Sequence, residues 1–146
     1  MRYNEGVMTG LNINLQKIQT FSTENDFSLV LLFGSLSTGK SHARSDIDIA
    51  LVPRDFHKSL DKLELLNRLS DIFQSDDIDL VCVNLDTDPT LLLEIFSKGK
   101  VLYESTPGLY DQHYLRAWKL YIDTEKIRKT REKFIEQYLK RINHVA

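Results

Sequence analysis

The sequence is poor in cysteine, the residue that cross-links small chains, and it has no long hydrophobic run. Its 146 residues include one cysteine, Cys82, so an internal disulfide is excluded and a reducing, cytoplasmic setting is expected. The longest apolar run, 29–33, is too short to cross a bilayer, and the first residues lack the apolar segment of a signal peptide. We therefore expect neither secretion nor a membrane span.

An excess of charge of one sign is also lacking. The 19 Lys and Arg residues nearly balance the 21 Asp and Glu residues, and 42% of the chain is hydrophobic, as in globular proteins. No basic strand with interleaved aromatic residues and no nucleic-acid motif is present, so no direct nucleic-acid contact is expected. The length is that of one domain. We predict a single domain over 1–146, with a core over 1–106 and a helical extension over 107–146.

Hydrophobic periodicity predicts helices and strands in alternation through the core. Apolar residues spaced by three and four indicate helices, and apolar or alternating runs indicate strands. A short third helix is expected to begin after Asp88, an N-cap followed by Pro89, and to end at Gly99. The predicted helices are 11–21, 60–73 and 89–98, and the predicted strands are 27–33, 46–51, 78–83 and 100–103. This pattern favours an α/β fold (α+β in some schemes), a small mixed sheet flanked by helices.

The last part of the chain differs from the core in composition. Beyond Pro107-Gly108 it contains no Gly or Pro, which predicts one long helix or two. Residues 111–146 carry nine Lys and Arg against five Asp and Glu, a charge of +4 that leaves −6 for the rest. Aromatic residues in this extension are typical of the core-facing stripe of a docked helix, although the extension could also reach toward a partner. These aromatic residues are Trp118, Tyr121, Phe134 and Tyr138.

A glycine-containing loop follows the first predicted strand. Residues 34–41, Gly-Ser-Leu-Ser-Thr-Gly-Lys-Ser, satisfy the Walker A pattern of phosphate-binding loops. A P-loop needs a helix that opens at the lysine, yet only about five residues remain before the next predicted strand. It also needs several crossover units on a parallel sheet, more than this chain supplies. We therefore favour a different phosphate site, in which the loop leads directly into the strand.

Two aspartates lie where this loop enters the next strand. Asp46 and Asp48 are two residues apart, so both carboxylates point to one face of the sheet while Ile47 points to the other. Neighbouring carboxylates repel each other unless a divalent cation neutralises them, and hard oxygen ligands suit Mg²⁺. A third acid is expected from a neighbouring strand. Asp79 is our choice, with Asp77 on the same face as the alternative.

Three such carboxylates are suited to phosphoryl transfer. With two bound Mg²⁺ ions they would clamp the attacking and leaving oxygens of a nucleoside triphosphate, and Asp79 would serve as metal ligand and candidate general base near the acceptor hydroxyl. The glycine would let the backbone approach the triphosphate, and nearby hydroxyl and cationic groups would hold its oxygens. The predicted nucleotide-binding residues are Gly34, Ser35, Lys40, Arg44 and Ser45.

The order of these motifs resembles that of the minimal nucleotidyltransferases of the DNA polymerase beta superfamily. The resemblance rests on Gly34-Ser35, ten further residues and then Asp46-Ile47-Asp48. Residues 78–81 are similar to the family's third-carboxylate strand, and residues 91–104 to its last helix and strand. The resemblance implies the nucleotidyltransferase fold over most of the chain. In one departure, members often place an arginine soon after the Gly-Ser pair, whereas the first cation here is Lys40.

Residues 121–123, Tyr-Ile-Asp, are similar to those of the antitoxin members. The resemblance implies an antitoxin of a HEPN/MNT (type VII) pair, which transfers AMP from ATP to a tyrosine of its HEPN ribonuclease toxin with Mg²⁺. We hypothesise that the basic extension, including Arg128 and Lys129, contacts that toxin. Two alternatives stay open. One is a small-molecule, antibiotic-type nucleotidyltransferase, which would usually carry a second substrate domain, and the other is a non-catalytic module that blocks a toxin by contact alone.

Overall fold

The protein is built on a four-stranded mixed sheet with helices on both faces. The computed structural model describes residues 7–8, 11–34 and 46–145. In chain order the elements are β1 (Val7–Met8), β2 (Leu11–Asn12), α1 (Leu15–Glu24), β3 (Phe27–Phe33), β4 (Ile47–Pro53), α2 (Lys62–Phe73), β5 (Ile78–Cys82), α3 (Pro89–Lys98), β6 (Lys100–Glu104), α4 (Leu109–Asp123) and α5 (Glu125–Val145). The predicted fold class is confirmed.

The main sheet has the strand order β5-β4-β3-β6. Strand β3 pairs antiparallel with both β4 and β6, whereas β4 and β5 run parallel. All seven residues of the central strand β3 are buried, because neighbouring strands flank it and helices cover both of its faces. The four strands lie within a residue or two of their predicted bounds.

The N-terminal part differs from the prediction. Leu11 lies in β2, which pairs antiparallel with β1 in a separate two-stranded ladder that was not predicted. The first helix begins only at Leu15, because the Asn14 side chain accepts a hydrogen bond from the backbone N–H of Lys17 at 3.1 Å and so caps it. The prediction that the helix includes Leu11 was therefore wrong.

One face of the sheet packs against α1 and α2. Ile49 and Leu51 of β4 point into this layer and meet Phe21 of α1 and Leu69 of α2. Helical spacing within 60–73 predicts a buried stripe of Leu60, Leu63, Leu66, Leu69 and Phe73. In the structure Leu65, Leu69 and Phe73 of α2 are buried, whereas Leu63 is 69% exposed. Leucines at 63, 65 and 66 allow two overlapping stripes at helical spacing, and only contact with the sheet selects one.

The other face packs against α3 and α4. Its core combines sheet residues such as Leu31 and Ala50 with Ile95 and Phe96 of α3 and Ala117 of α4. The Tyr110 hydroxyl at the start of α4 donates a hydrogen bond to the backbone carbonyl of Phe96. Helix α4 is therefore packed as part of the core, although it lies within the predicted extension.

Helix α5 does not share in this core. Its junction with α4 is held by Arg128, whose guanidinium stacks over the Tyr121 ring at 3.8 Å from the centroid and donates to the Tyr121 carbonyl at 2.7 Å. Beyond that contact its side chains are exposed, and Phe134 and Tyr138 are 68% and 56% exposed. The expectation that these two residues face the core was wrong. In the described part of the chain, no helix has the length and apolarity needed to traverse a membrane.

Candidate active site

Asp48 and Asp79 lie side by side on neighbouring strands. The parallel register of β4 and β5 aligns Asp48 with Asp79, and the next pair on the same face, Ala50 and Val81, packs in the layer of α3 and α4. Asp46, immediately before β4, is two residues from Asp48 and therefore lies on this face as well. The structure thus brings the three predicted acids to one end of one face of the sheet.

The register also separates the two candidates for the third acid. Asp79 lies within β5 opposite Asp48, whereas Asp77 precedes the strand. The backbone carbonyl of Asp77 accepts a hydrogen bond from the Ile47 N–H at 2.8 Å, which ties the first residues of the two strands together. The backbone of Asp77 therefore joins the start of β4 to the start of β5. A substitution of its side chain can serve as a control for the same substitution of Asp79.

Gly34 follows the last residue of the adjacent strand β3 and borders the site. It follows Phe33, which pairs with Asp48, and its φ of +75° lies in the left-handed region that favours glycine. A Cβ atom placed on Gly34 would lie 2.1 Å from Oδ2 of Asp48, far inside contact distance. Both the backbone conformation and the neighbouring carboxylate therefore require glycine, and the glycine end of β3 meets the acidic end of β4.

The charges around Asp48 make the electrostatic potential at its carboxylate negative. Burial raises the pKa of Asp48 above its ordinary value, and the charges of Asp79, Asp46 and Glu94 raise it further. Asp48 is half-buried, whereas Asp46 and Asp79 are exposed. A cation bound here would relieve this repulsion.

Glu94 was not among the predicted site residues. It lies on α3, the helix over the acidic end of this face, and its carboxylate is 3.9 Å from Nζ of Lys98. The sequence shows Glu94 only as a polar residue of an amphipathic helix. Its charge acts on Asp48 only because of how α3 packs on the sheet, so no local signal could have identified it.

The chemistry of these donors suits Mg²⁺, because they are carboxylates without nitrogen or sulfur ligands. Over residues 7–8, 11–34 and 46–145, however, no three His, Cys, Asp or Glu side chains are already close enough to hold a metal ion. Asp46 and Asp79 are exposed and lie on the same face as Asp48, so a bound ion would draw their carboxylates toward it. The residue types and the common face therefore fit the ion, and the coordination geometry is not preformed.

The rest of the predicted nucleotide site lies outside the described residues. This applies to Ser35, Lys40, Arg44 and Ser45, and to most of the segment that satisfies the Walker A pattern. The strands on either side of this segment still test that pattern. β3 and β4 run antiparallel, whereas a P-loop helix connects parallel strands. The sheet therefore excludes the P-loop interpretation.

Comparison with known proteins gives matches over the same region. Residues 16–107 match the family described as polymerase beta, nucleotidyltransferase. The chain is 33% identical over 93 residues to the protein adenylyltransferase MntA of Shewanella oneidensis, a match that covers 62% of this chain and 66% of that protein. It is 30% identical over 125 residues to MntA of Aphanizomenon flos-aquae, which covers 77% and 81%. The chain thus spans slightly less than two thirds of the first relative.

Solved structures show the same similarity. A crystal structure described as a toxin-antitoxin with AMP-PNP superposes with a TM-score of 0.66 at 28% identity, over 87% of this chain and 99% of that one. The MNT antitoxin in complex with tri-AMPylated Shewanella oneidensis HEPN toxin gives a TM-score of 0.60 at 25% identity, over 86% and 95%. The matched segment 16–107 contains Gly34 and all three aspartates, and the chain belongs to the polymerase beta nucleotidyltransferase family, within which it is similar to the MntA protein adenylyltransferases.

Proposed function

We propose that the protein is an antitoxin that transfers AMP from ATP to a tyrosine of a cognate HEPN toxin, in a reaction that depends on Mg²⁺. One observation carries this proposal: Gly34, Asp48 and Asp79 meet at the same end of the sheet, with Asp46 beside them. The names of the relatives support AMP as the transferred group. The AMP-PNP and the tri-AMPylated toxin in the similar structures support ATP as donor and a protein as acceptor.

In this proposal Asp46, Asp48 and Asp79 hold two Mg²⁺ ions. When bound, these ions would neutralise the carboxylates and the phosphate oxygens and so stabilise the charge that develops in transfer. The half-buried Asp48 and the exposed Asp46 and Asp79 would supply the carboxylate oxygens that hold the ions. Gly34 keeps space beside Asp48 and lets the backbone approach the triphosphate.

The remaining nucleotide contacts would come from the residues between β3 and β4. Ser35 and Ser45 would donate hydroxyl hydrogen bonds to phosphate oxygens, and Lys40 and Arg44 would neutralise the outer phosphates. The tyrosine oxygen would attack the α-phosphorus while the bond to the bridging oxygen breaks and pyrophosphate leaves. Asp79 lies on β5, which β4 separates from β3 and Gly34, and it would accept the tyrosine proton.

The test is the intact mass of the toxin produced together with this chain. The wild-type chain should add AMP-sized increments to the toxin, and Asp48→Asn or Asp79→Asn should abolish them. Asp77→Asn is the matched control, because it removes an identical charge two residues from Asp79 while leaving the backbone hydrogen bond to Ile47 in place. We expect this control to retain the increments.

The other possible outcomes would contradict the proposed active site or favour a different function. Toxin modified equally by the Asp48→Asn variant would contradict the proposed active site. Binding of unmodified toxin by the wild-type chain would favour a module that acts by contact alone. If the chain ignored the toxin but transferred nucleotide to small hydroxyl compounds, the antibiotic-type alternative would be favoured.

A further inference from the structure

Helix α5 carries an apolar stripe that no described part of the chain covers. Its members are between 48% and 68% exposed. They are Ile127, Phe134, Ile135, Tyr138, Leu139 and Ile142, and we call them the α5 stripe. Because they are spaced mainly by three, four and seven residues, they lie on one side of the helix.

The packing of α5 does not explain why these residues are apolar. The helix has 21 residues, so it is roughly 30 Å long, and it joins the rest of the protein mainly through the Arg128 contact with Tyr121. A helix without tertiary packing is marginally stable in water, and a contiguous exposed apolar surface of this kind marks an interaction site. The α5 stripe is therefore expected to be covered by another molecule.

A positive charge within the α5 stripe indicates what kind of molecule covers it. Arg131 is four residues after Ile127 and three before Phe134, so it lies in the middle of the stripe. None of the residues three or four positions from Arg131 is acidic. The three glutamates of α5 lie about 100° or more around the helix from it, and Glu125 and Glu136 pair there with Lys129 and Lys140 at 3.1 and 3.6 Å.

A second copy of this chain does not suit the stripe. Symmetric pairing of two stripes would bury two Arg131 side chains in one interface, and neither stripe supplies a carboxylate to pair with them. A bilayer surface suits it no better, because Arg131, in the middle of the stripe, would have to enter the apolar layer. A different protein can place its own carboxylate opposite Arg131 and apolar side chains around it.

We propose that the α5 stripe is the surface on which the cognate toxin docks, through an apolar face that carries a carboxylate opposite Arg131. The inference rests on the proposed function for the identity of the partner. Helix α5 also has seven Lys and Arg against three Glu, while the rest of the chain has a charge of −6. The docking helix is thus electrostatically distinct from the acidic site that would modify the bound toxin.

The experiment compares substitutions on two sides of α5 in the full chain. Phe134→Glu and Arg131→Glu change the stripe. Gln137→Glu and Lys133→Glu introduce the same charge changes at exposed positions outside it and serve as matched controls. Affinity for the purified toxin is measured by calorimetry, and AMP addition is measured separately by intact mass. Because α5 packs against so little, all four variants should keep the wild-type circular dichroism spectrum.

We expect both stripe variants to bind the toxin about tenfold or more weakly, and both controls to stay within about twofold of the wild type. Equal affinity of the stripe variants and the wild type would overturn the inference while AMP addition by the wild type still upheld the proposed function. A wild-type chain that neither binds nor modifies the toxin would instead overturn the proposed function, and with it the named partner.

Two further measurements on the chain alone exclude the other occupants. Light scattering should show a wild-type monomer, and a dimer that Phe134→Glu dissociates would assign the stripe to a second copy and overturn the inference. Sedimentation with phosphatidylserine vesicles should leave the wild-type chain in the supernatant. Co-sedimentation that Phe134→Glu abolishes would assign the stripe to a lipid surface, with the same consequence.

Discussion

Strand β3 and helix α5 are both rich in regularly placed apolar residues, yet their surroundings are opposite. Every residue of β3 is buried between two strands and two helical layers, whereas in α5 every described side chain except that of Arg128 is exposed. In β3 the apolar residues are explained by contacts within the chain. In α5 they are not. The comparison teaches that one chemical pattern can specify a fold in one region and a surface for another molecule in the next.

The sharpest test of this contrast compares one substitution from each region. Leu69→Ala, in the layer under the sheet, should lower the free energy of unfolding by about 2–5 kcal/mol because it leaves a cavity. Phe134→Ala on α5 should change it by less than about 0.5 kcal/mol. Urea denaturation of the free protein measures both. A cost of several kcal/mol for Phe134→Ala would mean that α5 packs on the core in solution.

The next comparison distinguishes a direct effect on the active site from an effect of backbone strain on AMP transfer. Gly34→Ala should reduce AMP transfer by about 100-fold, because the new Cβ would displace the Asp48 carboxylate. Gly108→Ala is the control: its φ of +92° carries a similar backbone penalty, but no atom lies within 4 Å of the new Cβ. It should lower stability and spare transfer. Steady-state rates should therefore differ between the two variants, and equal losses would attribute the effect to strain alone.

A smaller effect is expected from Glu94. Glu94→Gln removes one of the negative charges that act on Asp48, so the Mg²⁺ concentration that supports half-maximal transfer should rise about two- to fivefold. The charges that raise the pKa of Asp48 do not include Glu136 of α5, so Glu136→Gln should leave the Mg²⁺ dependence unchanged. The rate of AMP transfer, measured over a range of Mg²⁺ concentrations, gives the half-maximal concentration for each variant. An identical response of the two variants would show that Glu94 has no part in the site.

The smallest effect concerns the stability of the metal-free protein. Because the folded-state pKa of Asp48 is raised, ionisation of this carboxyl opposes folding, and stability should fall as pH rises through that pKa. Asp48→Asn removes the charge and should raise the melting temperature at neutral pH in EDTA by about 1–3 °C. The difference should vanish as pH falls and the wild-type carboxyl is protonated. A variant less stable than the wild type at neutral pH would contradict this account.

Local pattern was sufficient for much of the fold. The strand bounds and the Asp88 cap of α3 follow from residues within a few positions of each other, and the structure confirms them. Patterns failed where two local solutions competed, as for Leu63 against Leu65 in α2, or where a cap outweighed periodicity, as at Asn14. They also failed for α5, because periodicity indicates an apolar side but not the molecule that covers it.

The residues at the acidic end of the sheet also include some that local pattern predicts and some that it does not. The sequence alone predicts that Asp46 and Asp48 share a face, with a glycine upstream, because the alternation of side chains along a strand depends only on adjacent residues. The tertiary structure was needed to place Asp79 opposite Asp48 and Gly34 against that carboxylate, and to show that the charge of Glu94 acts there as well. These contacts join residues far apart in the chain, and they depend on strand register and helix packing, which the whole core sets together.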